Sequence, residues 1–363
     1  MQKNLHPVGA KHIALTMAVF LDILHGIKEH ATMNERQLSG LADWQVNGFQ
    51  GVDFNHPELT AEQVRTVSES LAAEGVWYYM PTLITNDVDM LEHFITVISQ
   101  AARQLDSQTA GDTGDGIRCA RIVGLHIEGP FISPHDGARG AHPQQYVRPP
   151  DVRLPERWQE LAGGMIRLMT LSPEWPDSDR MIRRACELGI RVAIGHTLAT
   201  TEQITAAVTC GATLSTHLGN GLPTLLPRHP NPVWDQLAQP QLWASAIADG
   251  FHLPRSVFDV FRQVKGERLF LVSDCTKFAG MPPGQYTSPI GGEVVLTAEG
   301  RLHLADNGQL LAGSALSLRQ IVEKTVQNGW LTFEQAWEMA AVRPWRFLGE
   351  EPPVECKENV VMT

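Results

Sequence analysis

Eight short apolar segments of this chain each end in residues that can bind a metal, transfer a proton or hold a polar ligand. These endings lie at residues 43–47, 81–82, 126–128, 172–174, 195–196, 216–217, 248–250 and 273–274. The stretches between them read largely as helices, so the chain repeats a strand and a helix eight times. In a barrel built this way the carboxyl ends of all strands meet at one rim. The pattern therefore predicts an α/β fold, a (β/α)8 barrel of the TIM type, with its functional residues at that rim.

Composition excludes several classes of protein. Of the 363 residues, 43% are apolar and 19% are charged, which disagrees with a disordered chain or a coiled coil. The formal net charge is −11 and no basic stripe offsets it, so we expect no nucleic-acid partner. An anionic small substrate would have to be bound by local Arg and His residues, against the charge of the whole molecule.

The cysteines and the N-terminal segment bear on location. An odd, scattered set without a CxxC pair does not indicate a disulfide framework or a zinc ribbon, and it suits a reduced cytoplasm; the cysteines are Cys119, Cys186, Cys210, Cys275 and Cys356. The apolar run 13–21 resembles the core of a signal peptide, but charged residues follow it without a convincing cleavage site. The run is too short to span a bilayer. We expect a cytoplasmic protein that makes no membrane contact.

The order of the segments divides the chain into a barrel and two additions. Residues 1–40 are predicted to form a helical extension. The catalytic barrel is predicted over 41–280 and 305–350. Between these two parts, residues 285–304 predict a β-hairpin, a small β appendage, with strands at 293–296 and 301–304 separated by a turn.

Three details of the barrel follow from local sequence. The second strand is expected over 76–80, where Pro81 ends it, and the third is expected as one strand over 122–127. The connection 129–164 is long and rich in Pro, Gly and His. A loop of this kind at the rim is expected to close over a ligand.

Four of the strand-end residues together suggest one reaction centre. Strands three, five, six and eight end in Glu128, His196, His217 and Asp274 respectively. A hydrolytic zinc site uses about three protein ligands and leaves a position open for water. Two neutral imidazoles and one carboxylate leave positive charge on the ion, which lowers the pKa of a bound water. A nearby carboxylate that does not bind the metal can take the proton and return it to the leaving group, and Asp274 is the candidate.

Taken singly, each of these residues has a simpler explanation. Glu128 could accept backbone N–H groups in the turn that follows it, and Asp274 could cap the next segment. An isolated histidine near a strand end is also more often structural than a metal ligand. Only the combination predicts a metal-dependent hydrolase.

The same residues lie in motifs that resemble a known family. The motifs are GLHIEGPFISP (124–134), GAH (140–142), GHTLAT (195–200), THLGN (216–220), ADGFH (248–252), LVSD (271–274) and LAGS (311–314). In this order they resemble the N-acetylglucosamine-6-phosphate deacetylases of the amidohydrolase superfamily, in register from about residue 43 to 344. The resemblance implies hydrolysis of the acetamide of an N-acetylated amino-sugar 6-phosphate, which releases acetate and the free amine.

The resemblance also assigns the metal site. It implies Glu128, His196 and His217 as metal ligands and Asp274 as the acid and base. Many amidohydrolases carry His-x-His after the first strand for a second metal, and this chain has Gln45-Val46-Asn47 there. Because neutral amides are poor zinc ligands, we expect one divalent ion, with Zn²⁺ ahead of Fe²⁺, Mn²⁺ or Co²⁺. Gln45 and Asn47 are either the remnant of a second site or simply turn residues.

The substrate residues implied by the resemblance are Ala141, His142, Asn220, Gly221, Arg228 and His252. Arg228 offers a planar fork suited to phosphate, although it could also be a surface residue of a Pro-rich loop. Segment 222–234 departs from the family's usual sequence, which leaves alternatives open. These are N-acetylgalactosamine 6-phosphate, an unphosphorylated amino sugar or a cyclic amide as substrate, or a catalytically silent sugar-binding protein.

The two ends of the chain also depart from the family. Its members generally begin with β-strands that join C-terminal strands in a small sandwich, whereas residues 1–40 read as helix and a Gly-rich closing strand is lacking. The small β domain is therefore expected to be reduced. A homodimer is an expectation of the resemblance that this reduction leaves open.

Overall fold

A computed structural model describes residues 40–109, 119–288 and 292–356. The predicted N-terminal helical extension lies outside the described residues. In the described part, no helix combines the length and the apolar character needed to cross a membrane.

Eight parallel strands form the barrel, and each pairs with the next in chain order. Nearly every residue in them is buried, as expected for a parallel sheet covered by helices. This arrangement confirms the predicted fold class. The strands are β1 (Leu41–Val46), β2 (Val76–Ile84), β3 (Leu125–Glu128), β4 (Ile166–Leu171), β5 (Arg191–Ile194), β6 (Ala212–Ser215), β7 (Trp243–Ala246) and β8 (Leu269–Leu271).

Helices surround the barrel. Several begin with a capping box, in which a Ser or Thr side chain and a Gln three residues later exchange hydrogen bonds with the backbone; the pairs are Thr60/Gln63, Thr200/Gln203, Ser317/Gln320 and Thr332/Gln335. The α-helices span Ala61–Ala73, Val88–Thr109, Leu154–Leu161, Ser178–Glu187, Thr201–Cys210, Pro232–Leu237, Arg255–Lys265, Leu318–Gln327, Phe333–Trp337 and Arg343–Leu348. A π-helical segment, Glu338–Val342, joins the last two, and 3-10 turns occur at Gln144–Tyr146, Gly266–Arg268 and Val354–Cys356.

The second and third strands both differ from the prediction, and the two differences have one cause. β2 does not end at Pro81 but continues to Ile84, and the expected third strand is split into Arg121–Ile122 and β3. Tyr79 pairs with Ile122 and Thr82 pairs with His126, so the third segment holds one extra residue opposite Pro81. Proline has no N–H to donate, so the ladder is interrupted beside it instead of the strand ending there.

The barrel closes between β8 and β1 through individual hydrogen bonds. The N–H of Asn47 donates to the carbonyl of Cys275 (2.8 Å), and the N–H of Ser273 donates to Asp43 Oδ1 (3.2 Å). Ser273 Oγ donates to the carbonyl of Gln45 (3.3 Å). This seam places the ends of the first and last strands side by side.

The C-terminal helices pack against the first strand. The rings of Trp44 and Trp345 meet edge to face with centroids 5.2 Å apart. Trp44 Nε1 donates to the carbonyl of Pro344 at 2.8 Å, so the buried indole is fully paired.

The β appendage is an antiparallel sheet of three strands, β9 (Gly284–Ser288), β10 (Gly292–Leu296) and β11 (Leu302–Leu304). The predicted hairpin of two strands was therefore incomplete. β9 has the sequence GQYTS and is mostly exposed, so it lacks the apolar alternation that marks a strand. A small apolar cluster that includes Phe278, Val294 and Leu302 supports the sheet.

Candidate active site

Three buried side chains converge at the carboxyl-end rim of the barrel. Glu128 is the last residue of β3, and His196 and His217 follow β5 and β6. Their exposed fractions are 2%, 7% and 2%. Glu128 Oε1 lies 3.2 Å from His196 Nε2 and 3.0 Å from His217 Nε2, and the two Nε2 atoms lie 3.1 Å apart.

This triangle of atoms fits a metal ion. Zinc bonds of about 2.0–2.1 Å in tetrahedral geometry put ligand atoms about 3.3 Å apart. Among the described residues, Glu128, His196 and His217 are the group of this kind that could hold an ion. Burial opposes charge on Glu128, but the neighbouring imidazoles of His196 and His217 outweigh it and hold the pKa of Glu128 well below its usual range. The carboxylate is thus available as an anionic ligand.

Backbone contacts fix the orientation of His196. Its Nδ1 lies 3.0 Å from the carbonyl of Ala138, which can only accept a hydrogen bond, so the proton resides on Nδ1 and Nε2 is free to bind a metal. The ring also packs closely against two glycines. A Cβ on Gly221 would lie 2.8 Å from His196 Nδ1, and one on Gly140 would lie 3.2 Å from its Cε1.

The backbone is strained at three residues of the rim. His196, His217 and Asp274 have φ values of 49°, 31° and 51°, in the left-handed region that residues other than glycine rarely adopt. Such strain persists where the surrounding structure enforces it, and it concentrates at functional sites. It occurs here at three of the four residues predicted to form the reaction centre, which supports this rim as the candidate site.

Two amides hold the carboxylates. Asn47 Nδ2 donates to Asp274 Oδ1 at 2.8 Å, and Gln45 Nε2 donates to Glu128 Oε1 at 3.1 Å. Gln45 and Asn47 are therefore hydrogen-bond donors to two carboxylates at this rim, and their assignment as the remnant of a second site stays a prediction. Burial first, and then the charge of Glu128, raise the pKa of Asp274 to about 6, a value suited to a general base near neutral pH.

Two further histidines border the centre. His142 Nδ1 accepts the backbone N–H of Thr85 (3.4 Å), which leaves the proton of the neutral ring on Nε2, and burial lowers the pKa of His142 to about 3. Its ring lies 4.3 Å from that of His196. His252 Nδ1 lies 2.7 Å from Asp249 Oδ2, and Asp249 Oδ1 accepts the backbone N–H of His252 at 2.8 Å. Asp249 thereby fixes the orientation of the His252 ring.

Known proteins of similar sequence identify the family. The chain is 33% identical over 314 residues to an N-acetylglucosamine-6-phosphate deacetylase from Vibrio furnissii, a match that covers 86% of this chain and 73% of that protein. The chain belongs to the N-acetylglucosamine-6-phosphate deacetylase family. It is also 30% identical over 307 residues to an N-acetylgalactosamine-6-phosphate deacetylase from Escherichia coli O157:H7, covering 85% of this chain and 76% of that one. No family model matches the chain.

Solved structures agree with this family. An N-acetyl-D-glucosamine-6-phosphate deacetylase from Mycobacterium smegmatis, solved in complex with N-acetyl-D-glucosamine-6-phosphate, has a TM-score of 0.74 and 27% identity. The match covers 86% of this chain and 78% of that one. The resemblance seen in the sequence, the barrel and the hydrolase class are confirmed.

The structure does not bring all the predicted substrate residues together at the carboxyl-end rim of the barrel. Asn220 lies beside the metal cluster, where its Nδ2 donates to the carbonyl of His217 (3.2 Å). Arg228 is exposed, and its guanidinium makes no hydrogen bond or ion pair with the described part of the chain. Its role, like those of the other predicted substrate residues, stays a prediction.

Sequence reasoning missed two supporting residues, Thr85 and Asp249. Asp249 was visible as an acid three residues before His252 in the ADGFH motif, a spacing that allows it to bond both the ring and the backbone of His252. Thr85 had no such signal, because its partner His142 lies 57 residues away in the sequence.

Proposed function

We propose that this chain hydrolyses the acetamide of N-acetylglucosamine 6-phosphate to glucosamine 6-phosphate and acetate. The observation that carries the proposal is the buried Glu128–His196–His217 cluster with Asp274 beside it. The substrate is supported by the names of the relatives and of the Mycobacterium smegmatis complex.

The donor set suits one divalent ion, and we propose Zn²⁺, with Fe²⁺, Mn²⁺ and Co²⁺ as alternatives. Bound there, the ion would supply a Lewis acid for the amide carbonyl and lower the pKa of a water molecule. The NH₂ group of Gln45, which cannot bind a cation, points at Glu128 from the first strand. A second ion at that position is therefore disfavoured.

Asp274 is the group we assign to proton transfer. Asn47 occupies its Oδ1, so Oδ2 remains to take a proton from the attacking water. With a pKa of about 6 the carboxyl is mostly ionised at pH 7, yet basic enough to hold the proton and then deliver it to the leaving nitrogen. The same side chain acts as base and acid in one turnover.

The surrounding side chains would orient the substrate. His142 carries its proton on Nε2 and can donate to an acetyl or sugar oxygen, and Asp249 holds His252 for a second contact. We propose that Ala141, Asn220, Gly221, Arg228 and His252 complete the sugar phosphate site. Arg228 would have to turn inward, because its side chain is exposed here.

A substrate panel tests the proposal. Acetate release by the zinc-loaded protein is measured with N-acetylglucosamine 6-phosphate, N-acetylgalactosamine 6-phosphate and unphosphorylated N-acetylglucosamine, and ring opening is measured with a cyclic amide. We expect the highest kcat/KM with the first sugar. The galactose epimer is a second candidate because a relative bears that name. Binding of the sugars without turnover of any compound would instead support a silent sugar-binding protein.

Two further proposals concern the oligomeric state and the cellular location of the protein. We propose a homodimer, for which the exposed side chains of Leu225 and Trp234 offer an apolar surface. We also propose a cytoplasmic location, which suits the free thiols of all five cysteines. Sedimentation of the purified chain tests the first, and fractionation of the host cell tests the second.

A further inference from the structure

The carboxylate of Glu174 accepts four hydrogen bonds. Glu174 lies just after a strand that supplies none of the proposed metal ligands. It follows β4, and its side chain is half-buried. Oε1 accepts from Ser133 Oγ (2.7 Å). Oε2 accepts from Ser172 Oγ (2.9 Å), from the N–H of Leu198 (2.6 Å) and from Thr197 Oγ1 (3.3 Å).

These donors belong to the segments that carry two of the metal ligands. Ser133 lies in the loop after Glu128, and Thr197 directly follows His196. The N–H of Ser133 also donates to the carbonyl of His196 at 2.9 Å, so the two segments are joined at the strained residue itself. The carboxylate of Glu174 lies at the junction of all three connections.

We propose that Glu174 is a positioning residue, whose carboxylate holds the loop after Glu128 and the turn after His196 so that their ligand atoms stay converged. The inference rests on the proposed metal site. The hydroxyls of Ser172 and Thr197 lie 2.7 Å apart and can pair with each other, but the N–H of Leu198 can only donate, and Glu174 Oε2 accepts it at 2.6 Å. A hydrocarbon side chain of equal size would leave this N–H without its acceptor and let the His196 turn relax.

Zinc affinity is the direct measure, determined by competition with a chromophoric chelator on the full-length protein. Glu174→Leu keeps the volume and removes every acceptor, and because Glu174 acts through neighbours of the ligands we expect affinity to fall about 10-fold, the lower end of the loss seen when a direct partner of a ligand is removed. Glu174→Gln keeps one acceptor oxygen for Leu198 and should recover most of that loss. Trp175→Phe is the matched control, because it removes a hydrogen bond to the carbonyl of Ile132 in the same loop (2.7 Å) and leaves every hydrogen bond of Glu174 to the His196 turn in place.

A second readout separates positioning from general stability. A purely structural role predicts that Glu174→Leu lowers the Tm of the metal-free and zinc-loaded forms equally. Positioning predicts that the rise in Tm on adding zinc shrinks in Glu174→Leu and not in Trp175→Phe. Unchanged zinc affinity and an unchanged zinc-induced rise in Tm in Glu174→Leu would overturn the inference.

If Glu174→Leu does not fold, Ser133→Ala tests the positioning role of Glu174 instead. It removes one of the four bonds, and we expect affinity to fall about threefold, the effect of one net hydrogen bond. Unchanged affinity there would overturn the inference. Failure of the proposed function is separately visible, because the wild-type chain would then bind no zinc or release no acetate.

Discussion

At the scale of single residues, neighbouring groups at the rim have separate tasks. Glu128, His196 and His217 present three atoms within 3.2 Å of one another, and Asp274, which is not part of this ligand group, is held by Asn47. The raised pKa of Asp274 suits proton transfer near neutral pH.

Asp274→Asn tests this division. Asn keeps the size of the side chain and an oxygen but cannot accept the proton, so we expect kcat to fall about 10³–10⁴-fold, the upper end for general acid–base catalysis. Zinc content and substrate affinity should persist. A near-normal kcat would remove Asp274 from the mechanism, and loss of zinc together with activity would make it a ligand.

Gly221→Ala tests the packing around His196. Its φ is +63°, and a Cβ would lie 2.8 Å from His196 Nδ1, so the ring must move. Gly164→Ala is the control, because Gly164 has a φ of +86° and nothing within 4 Å of the added atom. Both variants should lose about 1 kcal/mol of stability from the left-handed backbone. Zinc affinity measured by chelator competition should fall only in Gly221→Ala, and equal affinities would disprove a steric role.

At the scale of elements, the barrel works because strand ends and the turns after them are rigidly placed. The seam between β8 and β1 lacks a continuous ladder, and Ser273 supplies much of what replaces it. Its Oγ donates to the carbonyl of Gln45 and accepts the N–H of Cys275 (3.1 Å), next to Asp274.

Ser273→Ala should therefore lower both stability and turnover. The buried N–H of Cys275 loses its acceptor, at a cost of about 1–3 kcal/mol. A displaced Asp274 should lower kcat more than it changes KM. Ser99→Ala is the control, since Ser99 is also buried but its hydroxyl has no partner among the described residues. Urea unfolding and steady-state kinetics measure both effects, and the proposed role of the seam fails if the two variants behave alike.

The sequence predicted the barrel and the position of the centre, because strand ends and their polar residues are local features. It did not predict the interruption beside Pro81, because that depends on the facing strand. The exposed strand β9 had no apolar pattern to reveal it. Asp249 and Glu174 were recognised as polar strand-end residues, but their hydrogen-bond partners, and the role of Thr85 altogether, depend on geometry formed only in the folded chain.

At the scale of the whole molecule, buried ionisable groups link folding to pH. Burial raises the pKa of Asp43 to about 7, against hydrogen bonds from Ser273 and Gln45 that lower it. Between about pH 4 and 7 the folded state therefore binds a proton that the unfolded state has released. The stability contributed by neutral Asp43 is complete below that window and is lost as the pH rises through it.

Asp43→Asn cannot titrate and isolates this contribution. The free energy of unfolding of the wild-type protein, relative to the variant, should fall by up to about 1.4 kcal/mol per pH unit across the window. Urea unfolding of both proteins at pH 5, 6 and 7, with chelator present, measures it. A difference that stays constant with pH would show that Asp43 is ionised in the folded state.

The whole molecule also determines how an anionic sugar is bound. With a net charge of −11, the protein repels anions at a distance, so recognition has to come from groups at the rim. We propose that one divalent ion, held by Glu128, His196 and His217, supports deacetylation there.

Metal content and acetate release, measured on the same preparation with N-acetylglucosamine 6-phosphate, test this claim most directly. We predict one ion per chain, loss of acetate release when a chelator removes it, and recovery when one equivalent of Zn²⁺ is returned. Two tightly held ions per chain, or acetate release that survives complete removal of metal, would contradict the account.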